Sequence, residues 1–179
     1  MIILNLLRVI TKTLEDLKIS YMLSGSLAMT LYTIPRSTRD IDIVVELYEK
    51  HLKQFIEAVK DKFYFHEATI KDEIRRSGMF NIIHLESSYK IDFIVRTSHK
   101  FEIHKFQRRK QIDYFGINVW VISLEDLIIS KLMWIQELES ELQKRDIAGL
   151  LENKKTDLEY IKKWCKELKL KTYNLINYE

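Results

Sequence analysis

One cysteine, one proline and four glycines among 179 residues leave this chain short of the residues that staple, break or loosen a backbone. A lone Cys165 excludes an intramolecular disulfide and a cysteine-based zinc site, and a reducing, cytoplasmic setting is expected. With so little Gly and Pro there is no flexible linker and no low-complexity tract. Long apolar runs are also missing, so no stretch approaches the roughly 20 residues that span a bilayer and no membrane partner is expected. The opening Met1-Ile-Ile-Leu-Asn-Leu-Leu-Arg-Val-Ile10 lacks a basic leader and a small-residue cleavage site, and Asn5 and Arg8 interrupt it. It reads as an amphipathic helix rather than a signal peptide. Net charge of one sign is scarce too: 29 basic residues face 26 acidic ones, for +3 overall. That does not announce a nucleic-acid binder, and Lys105-Phe-Gln-Arg-Arg-Lys110 reads first as a solvated face.

What the chain has is a core. Apolar residues make up 46% and charged residues 31%, the composition of an ordered globule. Leu4, Leu7, Ile10, Leu14 and Leu17 recur at helical steps, and Tyr21-Met-Leu23 then runs as a strand into the turn Ser24-Gly25-Ser26. Helical spacing resumes at Leu27, Ala28, Leu31 and Tyr32 until Pro35 ends it. Strands are expected at 40–45, 79–85, 90–95, 111–115 and 117–122, the second and third as a hairpin. Helices are expected from about residue 48 to 63, at 99–107, and at 123–140, 144–152 and 156–168, with Ser123-Leu-Glu-Asp126 and Thr156-Asp-Leu-Glu159 as capping boxes. The class is α+β, with a sheet unit over 1–122 and a helical segment over 123–179 packed on it.

The chemistry concentrates in residues 25–42 and one later strand. Side chains alternate along a strand, so Asp40 and Asp42 project together while Ile41, Ile43 and Val45 face the other way. Two adjacent carboxylates on a core strand raise each other's pKa and call for a cation, and only hard oxygen ligands are offered. Tyr89-Lys-Ile-Asp-Phe-Ile-Val95 adds a third carboxylate at Asp92. Two Mg²⁺ ions held by Asp40, Asp42 and Asp92 would neutralise a phosphate chain and align attacking and leaving oxygens. Gly25 lets the backbone approach a phosphate closely, and Ser26 adds a hydroxyl, although a plain turn and helix cap explains the same pair. Arg36 and Arg39, in the loop before the acids, can grip phosphate bidentately or remain surface residues. Trp120, Trp134 and Trp164 sit on apolar periodic segments and are expected in the core.

Gly-Ser at a strand-to-helix turn, an Asp-Ile-Asp strand and a later Ile-Asp-Phe strand together resemble the nucleotidyltransferase superfamily related to DNA polymerase β, over roughly residues 20–95. The resemblance implies a mixed sheet flanked by helices, and Mg²⁺-dependent transfer of a nucleoside monophosphate from an NTP to an acceptor hydroxyl. Ser123-Leu-Glu-Asp-Leu-Ile-Ile-Ser-Lys131, followed by Lys144-Arg-Asp146, looks like small prokaryotic nucleotidyltransferases of the AbiEii/MenT toxin kind. That likeness implies a triphosphate contact at Lys131, a site role for Asp146, an RNA (tRNA) or protein acceptor, and a cognate antitoxin. The nucleotide contacts expected are therefore Gly25, Ser26, Arg39 and Lys131. Two other functions fit the same residues: a non-catalytic binding or toxin–antitoxin partner, and an aminoglycoside-type nucleotidyltransferase.

Overall fold

The computed structural model describes residues 2–176. Helix α1 (Ile2–Asp16) buries Leu6, Leu7, Ile10, Thr11 and Leu14 along one stripe, and the chain reverses through Lys18, whose positive φ of 55° closes the helix. Strand β1 (Tyr21–Ser24) is buried throughout. Helix α2 (Gly25–Met29) follows without a spacer, and a loop containing Pro35 leads into β2 (Asp40–Val45). Helix α3 (Glu49–Val59), β3 (Phe63–Tyr64) and α4 (Glu67–Arg76) precede the hairpin of β4 (Met79–His84) and β5 (Lys90–Val95). Next come α5 (Lys100–Gln107), the strand pair β6 (Lys110–Asp113) and β7 (Asn118–Val121), and helices α6 (Leu124–Glu137), α7 (Glu141–Leu151) and α8 (Leu158–Glu167).

The seven strands form one mixed sheet in the order β3-β4-β5-β2-β1-β7-β6. The hairpins β4–β5 and β6–β7 are antiparallel, as the sequence expects, whereas β2 pairs in parallel with β5 and β1 in parallel with β7. The parallel β2–β5 pair is central, and the face bearing Ile41, Ile43, Ile91 and Phe93 is fully buried. Phe55 of α3 packs edge-on against Phe93 and Phe80, at 5.3 and 6.0 Å between ring centroids. Burying side chains of this size contributes about 1.5–3 kcal/mol each, so this side of the sheet is committed to the core and the opposite side is left for chemistry.

Helix α6 carries buried Leu127, Ile128, Ile129, Leu132 and Ile135 into the same cluster as Ile147 of α7 and Ile161 and Trp164 of α8. Ser123 caps α6 by accepting the Asp126 N–H, as expected. Asp126 is wholly buried, and its carboxylate accepts hydrogen bonds from Ser123 Oγ (2.6 Å), Tyr160 Oη (2.6 Å) and Arg108 Nε (3.0 Å). Three segments are thereby pinned to one paired charge, which satisfies a carboxylate that would otherwise be costly to bury. The second cap lies one residue later than the sequence suggests: Asp157, not Thr156, accepts the Tyr160 N–H. Strand β3 and helix α4 were not expected, since α4 buries only Ile70, Glu73 and Ile74. No helix among the described residues is long and apolar enough to cross a membrane.

Candidate active site

Asp40 and Asp42 lie on β2 and Asp92 on β5, and the parallel ladder sets Asp42 directly beside Asp92 and Asp40 beside Lys90. Alternation along each strand sends Asp40, Asp42, Lys90 and Asp92 to the same face, and all four line one cleft. Asp92 is buried to 7% exposure, while Asp40 and Asp42 are half-buried. Burial pushes the Asp42 carboxyl above its usual range, and the neighbouring charges of Asp92 and Asp40 push it further. A hydrogen bond from the Ser26 backbone N–H and the field of Lys131 act in the opposite direction.

The glycine turn serves that carboxylate. Gly25 adopts φ +60°, and a β-carbon built on it would fall 1.8 Å from Asp42 Oδ2 and 2.4 Å from its Cγ. Ser24 pairs with Asp42 across the antiparallel β1–β2 ladder, so strand register and turn together press the backbone onto the acid. The Gly25-Ser26 pair, expected at a phosphate, lines the cleft and also touches Asp42, to which the Ser26 N–H donates. Helix α2 extends only five residues.

A second cluster faces the acids from the loop and the C-terminal helices. Arg36 forks onto Asp146, with Nε to Oδ1 and Nη2 to Oδ2 both at 3.0 Å, and Nη2 also donates to Ser26 Oγ at 2.7 Å. Lys131 Nζ donates to Asp146 Oδ2 and Gln143 Oε1, each at 2.8 Å. Lys131 and Asp146 are both 6% exposed. Burial lowers the Lys131 pKa against the pull of Asp146. For Asp146, burial works upward, but the hydrogen bonds from Arg36 and Lys131 outweigh it and hold the carboxyl below its ordinary value. One carboxylate thus aligns two cations at the edge of the site, and both contribute to the field at Asp42 or feel it.

Except for Asp146, which lies behind Arg36 and Lys131, these groups line an open cleft of about 1060 Å³. With this geometry in hand, the family assignment follows from the sequence: a model of the nucleotidyltransferases of unknown function, DUF6036, matches residues 1–178. The chain belongs to this family. A comparison with curated proteins finds no match. Among solved structures, this DUF6036 nucleotidyltransferase is similar to a lincosamide antibiotic adenylyltransferase, LnuA, with lincomycin bound: 17% identity, 80% of this chain and 92% of the other, TM-score 0.52. An antigenic nucleotidyltransferase-like protein from Paracoccidioides brasiliensis gives 18% identity, 82% and 73% coverage, and a TM-score of 0.51. The antibiotic-resistance factor ANT(2'')-Ia gives 12% identity, 92% and 83% coverage, and a TM-score of 0.51. At these identities the likeness is one of fold, and it matches the mixed sheet and flanking helices.

Within this family member, the expected residues sort into those that meet and one that does not. Asp40, Asp42, Asp92, Gly25, Ser26 and Lys131 all line the cleft, and Arg36 and Gln143 join them. Arg39 is exposed and does not line it: its neighbours Thr38 and Asp40 both do, and alternation along the extended chain sends the residue between them the other way. Asp146 reaches the cluster through Arg36 and Lys131. Trp164 is in the core, but Trp134 is 54% exposed and lines the cleft with Met133 and Leu142, contrary to the expectation for its segment. Its spacing explains this: it lies three residues after Lys131 and four after Ser130, on the cleft side of α6. Lys90 was missed as a site residue, although its position two residues before Asp92 on a strand was a usable signal.

Proposed function

We propose that this chain is a divalent-ion-dependent nucleotidyltransferase that moves a nucleoside monophosphate from an NTP to an acceptor hydroxyl. The observation that carries this reading is the register: Asp40, Asp42 and Asp92 come from two adjacent strands to one face of a cleft that Arg36 and Lys131 also line. Among the described residues no three acidic, histidine or cysteine side chains are already closed around a point. The donors nevertheless fit a Mg²⁺ ion: they are hard carboxylate oxygens, and the raised pKa of Asp42 marks negative charge that a cation would relieve. Ions bound there would stabilise charge on the phosphates and lower the pKa of the acceptor hydroxyl.

The protein's own groups do the rest. Arg36 and Lys131, aligned by Asp146, bring two positive charges to the anionic triphosphate, while the Arg36 fork itself is engaged by Asp146. Asp92, the most buried of the three acids, is the carboxylate beside the attacking hydroxyl and takes its proton. Gly25 fixes Asp42 by allowing the backbone to touch it. The exposed Trp134 face, with Met133 and Leu142, gives the cleft an apolar wall for the flat part of a nucleotide or acceptor. A cleft of about 1060 Å³ is at the upper end of the range for small-molecule sites, so it has room for an NTP and part of an acceptor.

The acceptor is tested directly. Purified protein is incubated with Mg²⁺, each of the four NTPs labelled at the α-phosphorus, and a panel of total RNA, tRNA, protein extract, aminoglycosides and lincosamides. RNA and protein belong in the panel because of the toxin-type pattern around Lys131 and Asp146, and the antibiotics because of the structural neighbours. Label transferred to one class, and lost in Asp42→Asn, identifies the reaction. Absence of transfer to every class, with NTP binding intact, favours the non-catalytic alternative.

A further inference from the structure

One basic side chain shares the face of the three acids. Lys90 opens β5 two residues before Asp92 and stands beside Asp40 in the parallel ladder, so alternation and register both deliver it among the carboxylates. Its Nζ lies 2.8 Å from Asp92 Oδ2 and 3.9 Å from Asp40 Oδ1. A single ammonium therefore bridges two acids supplied by different strands.

We propose that Lys90 is the resident cation of the carboxylate site, which a divalent ion must displace on entering. The inference rests on the metal-binding reading of Asp40, Asp42 and Asp92. An ammonium hydrogen-bonded to Asp92 Oδ2 competes with any ion for that oxygen, and a positive charge so near repels a second cation. Tethering to the same strand makes the competitor always present, whatever the solution contains. The displacement is feasible because the Lys90 side chain is 38% exposed and its stem is flexible, whereas Asp92 is held at 11% side-chain exposure. A nucleotide supplies the missing partner: its triphosphate gives the released ammonium a new anion. The resting protein is thereby charge-compensated yet weak for free metal, and the ion is taken up together with NTP.

The test is Mn²⁺ binding, read by the loss of the free-ion paramagnetic resonance signal, on the wild type, Lys90→Met and Lys90→Arg without nucleotide. Lys90→Met is expected to bind Mn²⁺ about tenfold more tightly than the wild type, by removal of one nearby positive charge. Lys90→Arg, which keeps the charge, is expected to show no gain. The metal-free Lys90→Met protein should also melt below the wild type and gain more on adding Mn²⁺. Should Lys90→Met fail to fold, Lys90→Gln carries the same expectations. Equal or weaker Mn²⁺ binding in a folded Lys90→Met protein overturns the inference and leaves the metal site standing. If Asp92→Asn in the wild-type background leaves Mn²⁺ binding unchanged, the metal-binding reading itself falls, and this inference with it.

Discussion

Gly25 and Asp42 are in such close approach that no side chain fits between them. A methyl at Gly25 meets Asp42 Oδ2 at 1.8 Å and must also tolerate φ +60°, so Gly25→Ala is expected to push the carboxylate away. Misplacement of about 1 Å costs on the order of 10²-fold in rate, and turnover should fall by at least that, with a lowered melting temperature from the strained backbone. Asp42→Asn separates stability from activity. Because the folded pKa of Asp42 is raised, its contribution is most favourable below its unfolded value and is lost as pH rises through the folded one. At neutral pH the metal-free Asn variant should therefore melt above the wild type, by about 2–4 °C for each kcal/mol relieved, while nucleotidyl transfer disappears. A lower melting temperature for Asp42→Asn would show that its charge is already compensated. Asp40 and Asp42 were legible as a pair because a period of two puts i and i+2 on one face, whereas Asp92 joined them through the likeness of its Ile-Asp-Phe strand. The Arg36–Asp146 fork was not, because its partners are 110 residues apart and no local period links them.

Helices α6 and α7 join the core through their apolar stripes and are tied to the loop before β2 by one ionic knot, Lys131–Asp146–Arg36. Removing the shared carboxylate leaves a buried ammonium unpaired, so Asp146→Asn should destabilise the fold by about 3 kcal/mol in urea titrations. The lowered pKa of Asp146 sets the pH dependence: its stabilisation is present above the unfolded carboxylate value, about 3.9, and is lost as pH falls through the folded value. The gap between wild type and variant should accordingly narrow in acid. Arg36→Lys keeps the charge but loses the fork onto Asp146 that positions it, and the KM for NTP should rise about tenfold, the worth of one hydrogen bond to a charged group. An unchanged KM would place the phosphates elsewhere. At this scale the helices with apolar stripes were legible and α4 was not. Its Glu67-Ala-Thr-Ile-Lys-Asp-Glu-Ile-Arg-Arg76 run has two buried apolar residues, and buried Glu73 is satisfied instead by Arg76 and the Met79 N–H.

Across the whole molecule, hairpins and strand pairs could be read from turn residues and alternation, whereas the strand order could not. The parallel neighbours β2 with β5 and β1 with β7 join segments far apart in the chain, and only tertiary packing selects them. That selection makes the site, since it brings Asp92 beside Asp42 and leaves the oily faces of both strands to the core. The exposed position of Trp134 has the same origin, because the cleft exists only once α6 is docked against the sheet. The decisive measurement is calorimetric titration of the purified protein with each NTP, with and without Mg²⁺. At least one NTP is expected to bind, more tightly with Mg²⁺ than without, and Asp40→Asn or Asp42→Asn to remove the Mg²⁺ effect. A wild-type protein that binds no NTP, or whose NTP binding is indifferent to Mg²⁺ and to both substitutions, would contradict divalent-ion-dependent nucleotidyl transfer as the function.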